Sequence, residues 1–425
     1  MAAIEKKIPG FFTDGVEDFV DNEEWGTDTL CLSPDELSYA LGKEGSTKRK
    51  IAKASGCIVE YVGYVAYLSG MWVARKRARE YLSWLQSHLS PNRSNAIKID
   101  VEDREDATYI DVPVSAIGYI TGDRRATLSK IEQDWSVLMF FVKTTTPPRE
   151  GAERLGIFGA PRGRRGAELK IMGAVEAKIP GYFTDGMEIG VCEDEWGTCT
   201  IKLHGDEISF ALGRQGATRR KLAKASGCII EYVGGVAFCS GHIDERRRAR
   251  DYLGWLLAQM KGDVHVVDVN RPDLLVLDLP EACVTFVAGA NGQSLRAIEA
   301  DSGTFCFIDR DSRGTQRLIV CSQDVKCRRN AESIIRDQVA MQRSHPGAVE
   351  DYAYQRSRRR EERKVQRAGR GGGPKGKGKG YGKGRPAFES SGSSSSEDSS
   401  EDSASDTNSD PEGGGKRRWD SYEND

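Results

Sequence analysis

From Thr27 to Leu32 apolar and polar side chains alternate, the period-2 pattern of a half-buried strand. Asp35–Leu41 then reads as a short helix stopped by Gly42, and a basic helix spans Ser46–Ser55 before a Ser-Gly stop. Cys57–Tyr61 and Tyr64–Leu68, rich in β-branched and aromatic residues, predict a hairpin around Val62-Gly63. Ala74–Leu89 reads as a long helix carrying Trp84. The predicted order is β-α-α-β-β-α.

That pattern returns. The stretch Leu41–Tyr61 recurs 171 residues later as Leu212–Tyr232, and the match runs ungapped from Lys7–Trp84 to Lys178–Trp255. A fit of that length marks an internal repeat. It includes a lead-in, Ile8-Pro9-Gly10-Phe11-Phe12-Thr13-Asp14, which recurs as Ile179-Pro180-Gly181-Tyr182-Phe183-Thr184-Asp185. Between the copies lies a weaker repeat at an offset of 167: Asp111-Val112-Pro113 matches Asp278-Leu279-Pro280, Gly122 matches Gly289, and Leu128–Glu132 matches Leu295–Glu299. Each weaker unit ends in an Arg-Arg-x-Ala-Glu helix, at Arg164–Glu168 and Arg328–Glu332. The expected organisation is α+β, a pair of similar domains duplicated whole. Its segments are a lead-in at 1–26, domains at 27–90 and 98–177, a second lead-in at 178–197, and domains at 198–261 and 264–340.

The candidate chemistry sits between the two short helices. Gly42-Lys43-Glu44-Gly45, Gly213-Arg214-Gln215-Gly216 and Gly289-Ala290-Asn291-Gly292 place two glycines three residues apart just before a helix. Glycine takes positive φ and leaves no Cβ between backbone and ligand. The free N–H groups and positive dipole end of the following helix suit a phosphate. Lys48 and Arg49, like Arg219 and Arg220, add cations behind the turn. This is the pattern of a nucleic-acid clamp.

Composition changes the picture mainly at the C-terminus. The formal net charge of −2 averages opposite tails. Residues 356–385 carry thirteen Lys/Arg against two Glu, and residues 388–412 carry eight Asp/Glu and no basic residue. Neither has apolar residues enough to offset chain entropy, so 356–385 and 386–425 are expected to be disordered. The first would bind phosphate loosely. The serines of the second suit a kinase that tunes competition for the basic segment. No run is apolar enough for a membrane span and no leader opens the chain, which predicts a soluble intracellular protein, cytoplasmic or nuclear. Ten cysteines without a CxxC pair read as buried free thiols, with no metal site and no cofactor. No catalytic set appears, so the chain is not expected to be an enzyme.

The β-α-α-β-β-α order with Gly-x-x-Gly between its first two helices resembles the type I KH (K-homology) domain, four times over residues 27–340. Ala40-Leu41-Gly42-Lys43-Glu44-Gly45 with Ser55-Gly56, Ala211-Leu212-Gly213-Arg214-Gln215-Gly216 with Ser226-Gly227, and Val287-Ala288-Gly289-Ala290-Asn291-Gly292 with Ser302-Gly303 carry the resemblance. The organisation is similar to multi-KH RNA-binding proteins such as vigilin and the poly(C)-binding proteins. The resemblance implies a groove for about four nucleotides of single-stranded RNA or single-stranded DNA, backbone against the glycine turn. The second unit departs from the motif. Its turn reads Gly122-Asp123-Arg124-Arg125, so an arginine replaces the second glycine and its side chain would fill the space of the sugar-phosphate. That unit is expected to be a structural partner, and groove quality ranks third, first, fourth, second. Lys48 and Arg219 stand where the family usually has an apolar residue; they either snorkel or enter the groove.

Plainer readings stand beside these. A scaffold binding protein partners is the main alternative, since fold does not give function. A metal-dependent nuclease lacks clustered Asp/Glu/His. Trp84 and Trp255 read as core anchors, Trp25 and Trp196 as packing residues, and the Arg75–Arg79 and Arg246–Arg250 runs as solvated helix faces. The lead-in Lys7–Trp25 has no function legible beyond its being repeated.

Overall fold

The structure, a computed structural model, describes residues 1–87, 97–99, 104–262, 264–310 and 314–344. The basic segment 356–385, the serine/acidic tail 386–425 and the end of the first predicted long helix lie outside these residues.

Four units repeat one element order. The first runs Trp25–Cys31 (strand), Pro34–Leu41 and Ser46–Ser55 (helices), Ile58–Val62 and Val65–Met71 (strands) and Trp72–Ser87 (helix). The second has Ala107–Pro113, Val114–Thr121, Ala126–Trp135, Leu138–Lys143, Ala152–Phe158 and Pro161–Lys178. The third has Trp196–Lys202, Asp206–Leu212, Ala217–Ser226, Ile229–Val233, Val236–His242 and Ile243–Lys261, and the fourth Leu274–Asp278, Glu281–Ala288, Gln293–Ser302, Phe305–Arg310, Gln316–Cys321 and Val325–Ser344. In every sheet the third strand of the unit lies between the other two and is antiparallel to both. The second unit adds Ile97–Lys98 as a parallel edge beside Leu138–Lys143, which the alternation of the sequence did not announce.

Local chemistry sets the boundaries. Ser33 and Glu36 cap each other's backbone N–H at the start of the first helix, with Pro34 in its first turn. The basic helix stops at Gly56 in left-handed geometry, φ 75°, and its counterparts stop at Gly227 and Gly303. Strand limits shift slightly from expectation: the first begins at Trp25, and the hairpin strands reach Val62 and Met71.

From the second unit on, each sheet's outer face is covered by the long helix of the unit before it. Tyr81, Leu82 and Leu85 of the first unit share a core with Leu138, Phe140, Val142 and Phe158 of the second. The second unit's helix, through Leu169, Met172 and Val175, covers Ile229, Val233, Val236 and Phe238 of the third. Tyr252 and Leu256 cover Phe305, Phe307 and Ile319 of the fourth. Trp84 and Trp255 are therefore anchors between units: Trp84 lies 4.8 Å from Phe158 and 6.3 Å from Phe140, and Trp255 5.6 Å from Phe307, by ring centroids.

Units one and two are joined as three and four are. Tyr81 donates to Asp106 and Tyr252 to Asp273, both at 2.8 Å, and Arg104 and Arg271 pair with those same aspartates. Burial pushes the Asp106 and Asp273 carboxyls up, but the arginine and tyrosine hydrogen bonds more than offset it and leave both below the usual range. From each basic helix to the second helix of the next unit, Lys50 meets Glu132 at 2.7 Å and Lys221 meets Glu299 at 2.8 Å. The duplicated object is the pair.

The arginine runs are only partly a solvated face: Lys76, Arg247 and Arg250 are exposed, but the first arginine of each run is not. Arg75 and Arg246 are each only 1% exposed. Arg75 donates to Asp28 (2.9 Å) and to the carbonyls of Gly70, Asp21 and Glu23; Arg246 donates to the carbonyls of Gly241, Cys192 and Asp194. These carbonyls belong largely to the lead-ins, which explains the repeated lead-in. Each is clasped at its other end by a buried glutamate: Glu5 accepts from the N–H of Gly10 and Phe12 and from the Thr13 hydroxyl, and Glu176 accepts from Gly181, Phe183 and Thr184 in the same way. Trp25 is also not packed; it is 63% exposed, while Trp196 is half-buried. All ten cysteines are free thiols, seven of them buried. No helix among the described residues is long and apolar enough to cross a membrane.

Candidate nucleic-acid interface

Each unit turns from its first short helix into its second through a tight one-turn segment: Lys43–Gly45, Asp123–Arg125, Arg214–Gly216 and Ala290–Gly292. The glycine before it takes φ near 70° with extended ψ, from 67° and 175° at Gly42 to 72° and 170° at Gly289. A Cβ there would sit 2.9 Å from the Thr47 backbone nitrogen in the first unit, and 3.0, 3.0 and 2.8 Å from its counterparts at Thr127, Thr218 and Ser294. The hydroxyl side chains of the threonines would be closer still. Only glycine fits, and all four units have it: Gly42, Gly122, Gly213 and Gly289.

The second glycine is under a different constraint. Gly45, Gly216 and Gly292 all have φ 73° and ψ near 20°, ordinary left-handed geometry. A Cβ would meet nothing nearer than 3.4, 3.3 and 3.7 Å, each time an arginine guanidinium nitrogen. Arg125 adopts the same angles, φ 67° and ψ 22°. That geometry costs a non-glycine residue roughly 1–2 kcal/mol. The residues before them, Glu44, Arg124, Gln215 and Asn291, are left-handed as well, φ 46–53°, which the spacing of glycines did not reveal.

The side chains then divide the turns. Arg125 folds inward: its guanidinium donates to both Glu132 oxygens (2.9 and 3.1 Å) and to the Met139 carbonyl, and it stacks 6.0 Å from the Phe140 ring centroid. At the corresponding position the other three units have Gly45, Gly216 and Gly292, which carry no side chain. All four helices, Ser46–Ser55, Ala126–Trp135, Ala217–Ser226 and Gln293–Ser302, lack a side-chain cap at their N-termini. Lys43, Glu44, Arg214, Gln215, Ala290 and Asn291 lie at the turn tips, and all six are exposed.

The cations behind the turn are more tied down than their charge suggested. Lys48 pairs with Glu60 at 2.7 Å, and Arg219 pairs with Glu231 and donates to the Ile230 carbonyl (2.8 Å). Both therefore reach across to the second strand of their own unit. Arg49 and Arg220 each donate to a carbonyl of their own turn, Glu44 and Gln215, at 2.7 Å. They fix the turn from outside. Where the sequence placed an apolar residue, Leu128 is buried and Leu295 partly so.

The site residues that sequence reasoning missed lie on the opposite face of the basic helices. Lys50, Lys53, Lys221 and Lys224 line clefts against the neighbouring unit, with Glu132 and Glu299 at the base. Burial raises the Glu299 carboxyl above its usual range, opposed by the Lys221 ammonium and the Cys306 N–H. Their signal was in the repeat itself: each lysine recurs at the offset of 171, each glutamate at 167. Among the described residues no group of His, Cys, Asp and Glu is arranged to hold a metal.

No protein-family model matches the chain, and no curated protein sequence does. Solved structures do resemble parts of it. Dim2p from Pyrococcus horikoshii OT3 matches at 13% identity over 36% of this chain and 90% of that one, with a TM-score of 0.22. A complex described as a/eIF2alpha-aDim2p-rRNA from the same organism matches at 16% identity, over 36% and 86%, with a TM-score of 0.22. A structure described as "KH domains" matches at 13% identity over 72% of this chain and 81% of its own, with a TM-score of 0.13. Likeness at these scores carries no function across to this chain.

Proposed function

We propose that the chain is a tandem array of four type I KH domains that binds single-stranded nucleic acid, RNA in the first instance, at the glycine turns of its third, first and fourth units. The observation that carries this reading is the turn itself. At Gly45, Gly216 and Gly292 the backbone carries no side chain and is left-handed, directly before a helix whose N-terminal N–H groups have no side-chain cap. Such a surface suits a phosphate oxygen. Arg214 gives the third turn a cation and no acid, whereas Glu44 places a carboxylate in the first. In the fourth, Ala290 and Asn291 are neutral. The second unit, with its space taken by Arg125, serves as the structural partner that supplies Glu132 and the covering sheet.

Crosslinking in cells with recovery and sequencing of bound RNA tests the reading. Enrichment of single-stranded RNA segments is expected, reduced by Arg214→Asp with Gln215→Asp. If no RNA is recovered above background, the array is a protein scaffold and the clamp assignment falls.

A further inference from the structure

We propose that the cleft between the basic helix of the third unit and its neighbour in the fourth is a second phosphate-binding site, which carries the backbone of a bound strand from the third glycine turn to the fourth. The proposal rests on the nucleic-acid reading above and adds a site to it.

The pairing of units creates the cleft, which occurs twice. In the first pair it holds about 500 Å³ between Ser46–Ser55 and Ala126–Trp135, and in the second about 360 Å³ between Ala217–Ser226 and Gln293–Ser302. Three cations recur at equivalent positions of both, Arg49, Lys50 and Lys53 in one and Arg220, Lys221 and Lys224 in the other. Helical spacing puts these side chains on adjoining faces of one helix. In the second cleft Lys221 neutralises the buried Glu299, which leaves Arg220 and Lys224 in excess. Lys224 has no acid partner among the described residues and lies over Gly303, where a Cβ would collide with its ammonium end.

What separates the two clefts is Arg296. It lines only the second, and its counterpart by the 167-residue offset is Ser129. Arg220 donates to the Gln215 carbonyl of the third turn, and Arg296 donates to the Asn291 carbonyl of the fourth. The two arginines thus tie both glycine turns to the walls of one cationic cleft. A strand leaving the third turn meets continuous positive charge up to the fourth. In the first pair the path leads from Glu44 to a turn occupied by Arg125, and no equivalent of Arg296 continues it. A lysine without an acid partner beside two guanidinium groups fits the evenly spaced charges of a phosphodiester chain.

The test compares two single-stranded RNA oligonucleotides, one of about four nucleotides, enough for one turn, and one of about ten, long enough to cross the cleft. Titrations use the full chain, with thermal melts confirming the fold. Lys224→Ala and Arg296→Ala are each expected to weaken the longer oligonucleotide roughly tenfold and to flatten its salt dependence by roughly 0.7 for each phosphate no longer held. With Lys224→Ala the shorter one should bind unchanged, and Lys53→Ala should have a smaller effect on the longer. If both variants leave the longer oligonucleotide's affinity and salt slope unchanged while the short one still binds, the cleft is not a site and the clamps stand. If both lengths weaken equally, these residues serve the turn alone and the cleft proposal falls. If neither oligonucleotide binds the unaltered chain, this proposal and the function it rests on fall together.

Discussion

The turns of the second and third units have the same backbone and opposite surroundings. Gly122 and Gly213 share φ near 70° and ψ of 174°, and Arg125 and Gly216 both sit in left-handed geometry. Yet Arg125 drives its guanidinium into Glu132, while Gly216 has no side chain to place there. The comparison separates two roles that the glycines of one motif share. The first glycine is a condition of folding, because a Cβ has no room. The second is not a condition of folding, because an arginine takes the same angles there; in the function proposed above it is a condition of access.

The largest effect should come from the first glycine. Gly213→Ala forces a Cβ against the Thr218 backbone nitrogen in a region of φ/ψ nearly reserved for glycine, so a loss of about 4 kcal/mol in stability is expected. Gly216→Ala meets at closest the Arg220 guanidinium, the far end of a flexible side chain 3.3 Å away, and should cost about 1 kcal/mol. Chemical denaturation followed by circular dichroism compares them. Equal losses would break the division of roles.

Next come the lysines that join each pair. Lys221→Met leaves Glu299 buried with only the Cys306 N–H, and should cost about 3 kcal/mol at neutral pH. Lys50→Met should cost about 1 kcal/mol, because Arg125 still holds Glu132. The pH dependence has a definite sign. Burial raises the Glu299 carboxyl in the folded chain, so this group's proton uptake favours folding fully below its unfolded pKa and the benefit is lost as pH rises through the raised one. Removing Lys221 raises it further. The penalty of Lys221→Met should therefore shrink as pH falls toward the ordinary carboxylate range, and melting temperatures measured across that range would show it. A penalty independent of pH would place the lysine's contribution elsewhere.

Charge at the turn tips gives a smaller but functional contrast. Arg214→Asp with Gln215→Asp should weaken RNA binding about thirtyfold, or ~2 kcal/mol, by removing a cation and adding repulsion. Lys43→Asp with Glu44→Asp should cost less, since Glu44 is already acidic, and Ala290→Asp with Asn291→Asp less again. Asp123→Lys with Arg124→Asp in the second unit should change affinity little. Filter binding on folded variants measures all four. If the second unit's variant lost as much as the third's, Arg125 would not be closing that surface.

These contrasts also show what was legible in the chain. The repeat, the element order, the turns and the span Ser46–Ser55 could be read directly, because each depends on residues close in sequence. Stacking could not, since it joins Trp84 to Phe158 and Tyr81 to Asp106 across unit boundaries. Arg75 departs from expectation for a different reason. A run of cations suggests a wet face, but Arg75 shares helical spacing with Ala78, Leu82 and Leu85, which are all buried. Period rather than charge places it inside, and with it the purpose of the lead-in.

The smallest expected effect bears most directly on the comparison. Arg125→Gly removes two hydrogen bonds to the buried Glu132 and one to the Met139 carbonyl, but Lys50 and the Met139 N–H remain on that carboxylate. It also relieves left-handed strain of roughly 1–2 kcal/mol. The two effects oppose each other, so stability should move by less than about 1 kcal/mol. Arg125→Ala gives up the same hydrogen bonds and keeps the strain, so it should be the less stable of the two by about 1 kcal/mol. A melt of both variants isolates the backbone contribution, since everything else is shared. If alanine and glycine proved equal, the left-handed turn would cost this chain nothing. The presence of glycine at the second position in the other three units would then be owed to access alone.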